Sequence, residues 1–212
     1  MLDGVRTPAA PQFDLVVLAA SLGGPAALAC VVAGLPEGFS TPVLIVQHRT
    51  PAVSRTLADT LQRRTVLPVR LAEDDWPADL PGITVLPARQ TGSIVDGRLR
   101  LRAAGDPRTA DPLIISAAEA YGPRAIGVVL TGRLGDGAAG LRAIKRHGGR
   151  TIVEDPSTAY AGDMPAAALA TGCVDLVLPL PHIARALVAF TMAPGAADLL
   201  RVPLAPWAGF AA

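Results

Sequence analysis

The sequence predicts an α/β domain: a doubly wound, mostly parallel sheet with helices on both faces and a small β-hairpin. Three observations carry that prediction. Short apolar runs rich in Val, Ile and Leu alternate with stretches of helical periodicity, the pattern of βαβ units. Proline near the first turn of several helical stretches, and glycine after one of them, mark helix ends in the expected order. Half of the 212 residues are hydrophobic and only 17 % are charged, enough for one substantial core. With 4 % aromatics, that core must be filled by Ala, Val and Leu.

Taken in order, residues 1–12, rich in Pro and Ala, read as a disordered leader. Strands are expected over 14–20, 43–47, 69–71, 83–86, 125–130, 151–153 and 174–178, each an apolar run bounded by turn residues. Helices are expected over 25–33, 52–63, 112–121, 138–147, 165–170 and 181–190, with Gly148 closing the fourth. A hairpin is expected at 93–95 and 99–101, because Asp96-Gly97 suits a type I′ turn. The domain is read as 13–190, and 191–212 as a C-terminal tail with Trp207 and Phe210 that packs loosely, covers a site or meets a partner.

Several function classes are excluded by composition. The span 15–35 carries no charged residue and matches the length of a membrane helix, roughly 20 residues. Yet Gly23, Gly24 and Pro25 interrupt it midway and Asp14 abuts its start. Ahead of it, only Arg6 stands against Asp3 where a signal peptide needs a basic start. Strand, turn and helix is the better parse, which implies a cytoplasmic protein with no membrane insertion. Lys plus Arg number 19 and Asp plus Glu 18, with no basic block beyond the Arg63, Arg64 pair, so no nucleic-acid surface is expected. Cys30 and Cys173 are isolated in apolar surroundings and read as reduced core residues.

Ligands of open parallel sheets bind outside the carboxyl ends of the strands. There the first strand delivers Ser21 in "AASLGGP", the second His48 in "VLIVQHRTP", and the run 125–130 leads into "TGRLGDGAAG" with Asp136. A hydroxyl, an imidazole and a carboxylate at three strand ends have the composition of a nucleophilic triad. Gly23 and Gly24 suit a sharp turn behind an exposed serine, and the following helix start offers free N–H groups to an oxyanion. The motif is neither the GxSxG elbow nor a dinucleotide or phosphate loop. Each residue also has a plain structural reading: Ser21 as a turn residue, Asp136 as the cap of its own helix, His147 and His182 as solvated helix-end residues.

The stretches "SLGGP" (21–25), "VLIVQH" (43–48), "DPLIISAAEAYG" (111–122), "AIGVVLTGRLGDGAAGL" (125–141) and "MPAAAL" (164–169) occur in an order and spacing that resemble the chemotaxis protein-glutamate methylesterases, the CheB-type family. The resemblance covers roughly 13–187 and only the catalytic domain of that family. It implies that Ser21, His48 and Asp136 form the triad, with backbone amides at Leu22, Gly23 and Arg133 holding the oxyanion. It implies hydrolysis of γ-glutamyl methyl esters on the cytoplasmic helices of methylated chemoreceptors, release of methanol, and in some members deamidation of glutamines. Neither metal nor organic cofactor is implied.

The sequence also departs from the family pattern. Leu22 follows the serine where threonine is usual, Arg133 replaces a methionine, and the 87–112 segment is short and lacks a His-Arg-Pro signature. Leu22 removes a side-chain hydroxyl near the oxyanion; in the family the divergent middle segment lines the substrate face, so the resemblance implies altered receptor recognition more than altered chemistry. With only residues 1–12 ahead of the first strand, the chain reads as a stand-alone member without a receiver domain, open or governed by a receiver or other regulator in trans. Two alternatives stay open: a catalytically weak relative that binds a signalling partner, and an esterase for small molecules.

Overall fold

Every residue of the first strand, β1 (Leu15–Ala20), is buried, and alternate residues feed two different cores. Val16, Leu18 and Ala20 pack into one layer; Leu15, Val17 and Ala19 pack into the other. That is how a parallel strand covered on both faces behaves, and it explains why the run is apolar without alternation. The computed structural model describes residues 13–48, 54–105 and 109–209. The expected leader, the start of the expected 52–63 helix and Phe210 lie outside the described residues.

After β1 come α1 (Gly24–Ala33), β2 (Val43–Gln47), α2 (Ser54–Gln62), β3 (Val69–Leu71) and β4 (Ile83–Val85). The hairpin β5 (Gln90–Val95) and β6 (Arg98–Ala103) leads to α3 (Ala110–Tyr121), β7 (Ala125–Val129), α4 (Ala138–Arg146) and β8 (Arg150–Glu154). The chain continues through α5 (Asp163–Ala170), β9 (Leu176–Leu178), α6 (Leu180–Met192) and α7 (Ala196–Leu199). Seven strands form one parallel sheet in the order β3-β4-β2-β1-β7-β8-β9. Strand order thus runs one way from β1 through β2 and the other way through β7, which opens a crevice at the carboxyl end of the central pair. Residues of α1, α2 and α6 fill one core layer, and residues of α3, α4, α5 and the hairpin fill the other.

The expected hairpin is present but longer than 93–95 and 99–101. Asp96 and Gly97 both adopt positive φ, 51° and 72°, as a type I′ turn requires. Arg98, Arg100 and Arg102 alternate with Leu99 and Leu101 along β6, so the strand carries one apolar stripe rather than an apolar run. Cys173 is buried, but Cys30 lies exposed on α1 and is not the core residue expected. Ala27, Leu28, Val31 and Val32 form the buried face of α1, and Cys30 falls outside it.

The described residues of the segment after α6 neither pack loosely nor cover the carboxyl ends of the strands. They lie across the opposite ends. Arg150 Nε donates to Ala197 O at 2.9 Å and its Nη2 to Asp198 at 2.8 Å. Arg146 Nη2 reaches Ala208 O at 3.2 Å. Buried Lys145 bridges Asp175 and the carbonyl of Val202, and Val202 N donates back to Asp175 at 3.0 Å. Trp207 packs over Gly172, where a Cβ would meet the indole at 3.0 Å.

Candidate active site

The register of β1 against β2 pairs Ala20 with Gln47, so Ser21 and His48 are the next residue out on neighbouring strands. His48 N donates to Ala20 O at 3.1 Å, and Ser21 N donates to Thr131 O at 2.9 Å, just beyond β7. Three strand ends are therefore laced together by backbone bonds at the crevice. Gln47, buried at the end of β2, donates from Nε2 to Ser21 O (3.0 Å) and to His48 O (2.9 Å). The side chain between the serine and the histidine thus fixes both of their carbonyls.

The chain turns sharply after Ser21. Gly23 has φ 81°, a left-handed conformation that favours glycine, and a Cβ there would meet Tyr160 at 2.9 Å. Gly24 N closes the turn onto Ser21 O at 2.9 Å, and Pro25 follows in the first turn of α1. Among the described residues, the amides of Leu22, Gly23 and Arg133 are not donated to any protein acceptor. Those are the three amides expected to hold an oxyanion. Ser21 is half-buried, while His48 and Arg133 are exposed.

Asp136 does not cap its own helix; Gly137 does. Its carboxylate accepts the amides of Thr109 and Ala110 at 2.9 Å on Oδ2 and that of Asp111 at 3.1 Å on Oδ1. These are the cap and first residues of α3. Asp111 returns the bond, accepting Gly140 N of α4 at 2.8 Å. The starts of α3 and α4 are thereby capped reciprocally, each by an aspartate from the other. Among the described residues the hydrogen bonds of Asp136 run to α3 rather than to His48. Thus Ser21 and His48 follow paired residues at neighbouring strand ends, and Asp136, just ahead of α4, has its carboxylate on the start of α3. A carboxylate offers about four lone-pair sites, so three amides leave one free.

A crevice of ≈ 460 Å³ opens beside the serine turn, between α1 and the start of α6, lined by Gly23, Ala27, Thr131, Glu154, Tyr160 and Leu180. A shallower depression of ≈ 580 Å³ lies on the other side of Tyr160, formed with Leu22, Arg133, Ala161 and Asp163. Leu134, 73 % exposed with φ 66°, stands next to Arg133. Glu154 is 2 % exposed, and burial pushes its carboxyl above the ordinary glutamate range, partly opposed by the bond from Thr131 N at 2.7 Å.

Gln47, Thr131, Glu154 and Tyr160 were not among the residues singled out from sequence. A signal existed for three of them: each is the polar residue that ends an apolar run, "VLIVQ", "VVLT" and "TIVE". Tyr160 has no such signal. His147 and His182 lie exposed at helix ends, as expected, His147 closing α4 and His182 in the first turn of α6, next to Pro181 of the crevice lining. Among the described residues no three of His, Cys, Asp and Glu gather as a metal-ligand set, and no helix is long and apolar enough to cross a membrane.

Comparison with known proteins identifies the family of the chain. A family model for CheB methylesterase matches residues 16–187. The chain is 40% identical over 190 residues to protein-glutamate methylesterase/protein-glutamine glutaminase 2 of Anaeromyxobacter dehalogenans, covering 86% of this chain and 56% of that protein. It is also 40% identical over 184 residues to protein-glutamate methylesterase FrzG of Myxococcus xanthus, covering 84% and 55%. The chain therefore spans about half the length of the curated relatives it matches. The crystal structure of the Thermotoga maritima CheB methylesterase catalytic domain superposes with a TM-score of 0.75 at 30% identity, covering 84% of this chain and 99% of that one. The chain belongs to the CheB methylesterase family.

Proposed function

We propose that this domain is a serine hydrolase that cleaves glutamate γ-methyl esters on the cytoplasmic helices of methyl-accepting chemotaxis receptors, and deamidates glutamines by the same route. The observation that carries this reading is the register that sets Ser21 beside His48, next to undonated amides at the start of α1. Ser21 Oγ attacks the ester carbonyl while His48 takes its proton. The amides of Leu22, Gly23 and Arg133 hold the oxyanion of the tetrahedral intermediate. As the C–O bond breaks, His48 returns the proton to the departing methoxide, and methanol leaves. A water, deprotonated by His48, then cleaves the glutamyl-serine ester and restores the free serine. Asp136, fixed by its three amides, keeps one lone pair for the imidazole and steadies the imidazolium. The domain works in the cytoplasm, where a receiver or other regulator controls access to the crevice.

The test is methanol release from membranes bearing methylated chemoreceptors, wild type beside Ser21→Ala. Release by wild type alone is the expected result; equal release by both contradicts the reading. The one alternative is an esterase for small molecules, for which the crevice of ≈ 460 Å³ beside the serine turn has room. Turnover of small esters without methanol from receptor membranes decides for it.

A further inference from the structure

The hydrogen bonds around the nucleophile turn converge on one residue that the mechanism above leaves unused. Thr131 is fully buried just beyond β7. Its carbonyl accepts Ser21 N at 2.9 Å. Its hydroxyl donates to Leu22 O at 2.9 Å and accepts Ala161 N at 2.8 Å. Its own amide is taken by the carboxyl of Glu154, at the end of β8, at 2.7 Å. The next residue extends the lacing: Gly132 N donates to Ala161 O at 2.9 Å, and Gly132 O accepts Met164 N at 3.0 Å. One threonine thus ties the serine turn, the loop leading to Arg133, and the loop from β8 to α5.

We propose that Thr131, with its amide anchored by the buried carboxyl of Glu154, is the positioning residue of this site. It holds the nucleophile turn and the Gly132–Arg133 oxyanion loop in one mutual geometry. The hydroxyl is the chemically specific part. It is the only side-chain group that bonds the Leu22 carbonyl among the described residues, and a valine of similar shape has neither its donor nor its acceptor. Losing it leaves Leu22 O and Ala161 N without their partner, and the turn bearing Ser21 is free to shift against the amides that receive the oxyanion. Misplacement on the order of 1 Å at a reacting centre costs on the order of 100-fold in rate. Glu154 acts one step further out, through the Thr131 amide. This inference rests on the serine-hydrolase reading above.

The experiment uses a fluorophosphonate probe, which needs no knowledge of the natural substrate. Ser21 Oγ bonds phosphorus, fluoride leaves, and the serine proton passes to His48. The inactivation rate at saturating probe, the probe concentration for half that rate, and the labelled peptide are measured on the full chain, with folding checked by circular dichroism. Wild type is expected to label at Ser21. Thr131→Val is expected to lose on the order of 100-fold in limiting rate, with the half-saturating concentration little changed. Thr131→Ser, which keeps the hydroxyl, is expected to restore most of that rate. Glu154→Leu is expected to lose about tenfold, with Glu154→Gln restoring it because an amide oxygen still accepts the Thr131 N–H.

Wild-type rates in folded Thr131→Val overturn the inference and leave the hydrolase reading intact. Absence of Ser21 labelling in wild type overturns the hydrolase reading itself. Should Thr131→Val fail to fold, the other two variants decide: a Thr131→Ser rate as low as that of Ser21→Ala, or a wild-type rate in Glu154→Leu, overturns the inference.

Discussion

Asp136 stands under two demands, and they are separable by substitution. Its carboxylate caps α3 through three amides, and the proposed mechanism asks it to steady His48. Asp136→Asn keeps one acceptor oxygen but turns an NH2 towards at least one of the three amides and presents an amide to the imidazole. We expect it to cost about 1–3 kcal/mol in urea unfolding, while ester turnover falls by on the order of 10³-fold or more. A loss of activity matched by a comparable loss of stability would assign Asp136 to capping alone. Gly132 is a second residue with a narrow tolerance. A Cβ there would sit 2.0 Å from Met164 Sδ and 2.8 Å from Ser21 Cβ. Gly132→Ala is therefore expected to destabilise by about 1–3 kcal/mol and to slow labelling of Ser21; unchanged melting temperature and labelling would contradict this packing.

At the scale of elements, β8 shows how a strand end acquires a strained charge. All five of its residues pair in the sheet, and the last, Glu154, also turns its carboxyl to the Thr131 amide in a setting that disfavours ionisation. Because its folded value is raised above the unfolded one, the folded state binds this proton more tightly. The corresponding stability is fully present below the ordinary glutamate value, about 4.3, and is lost as pH rises through the raised one. The urea midpoint of wild type relative to Glu154→Gln should fall as pH is raised from 4 to 8; a difference independent of pH would contradict the burial argument. The same strand shows where sequence reading stops. Apolar 151–153 was legible, but Arg150 and Glu154 extend β8 by a residue at each end, each paid for by partners distant in sequence: Ala197 and Asp198 for one, Thr131 for the other. β1, β2 and β7 were legible almost to the residue because strands buried on both faces are continuous apolar runs. The hairpin was legible at its turn and short at its ends, since β6 alternates arginine with leucine. Ser21 and His48 could be read as strand-end residues. That Asp136 caps α3 could not, because the bond spans two helices that only the fold brings side by side.

The whole molecule separates its two ends. Along β8, Glu154 faces the crevice while Arg150, about 13 Å away, holds the segment after α6. That segment supplies carbonyls or a carboxylate to Lys145, Arg146 and Arg150. Ending the chain at residue 193 should therefore cost about 3 kcal/mol or more in unfolding free energy. Its rate of Ser21 labelling at 25 °C should stay within about twofold of the full chain, since among the described residues no bond from the segment reaches the site. A tenfold fall in a truncated but folded domain would mean that the two ends are coupled. The composition of 191–212 did not reveal this docking, because its anchors, the carboxylate of Asp198 apart, are main-chain carbonyls that any sequence presents.

The measurement that bears most directly on the central claim is mass analysis of acid-quenched reactions between the domain and a glutamyl γ-methyl ester peptide from a methylated receptor. The account predicts a glutamyl-peptide adduct, less methanol, on the tryptic fragment containing Ser21, formed with stoichiometric methanol and absent from Ser21→Ala. Methanol release at full rate from Ser21→Ala, or an adduct on another residue, would contradict it.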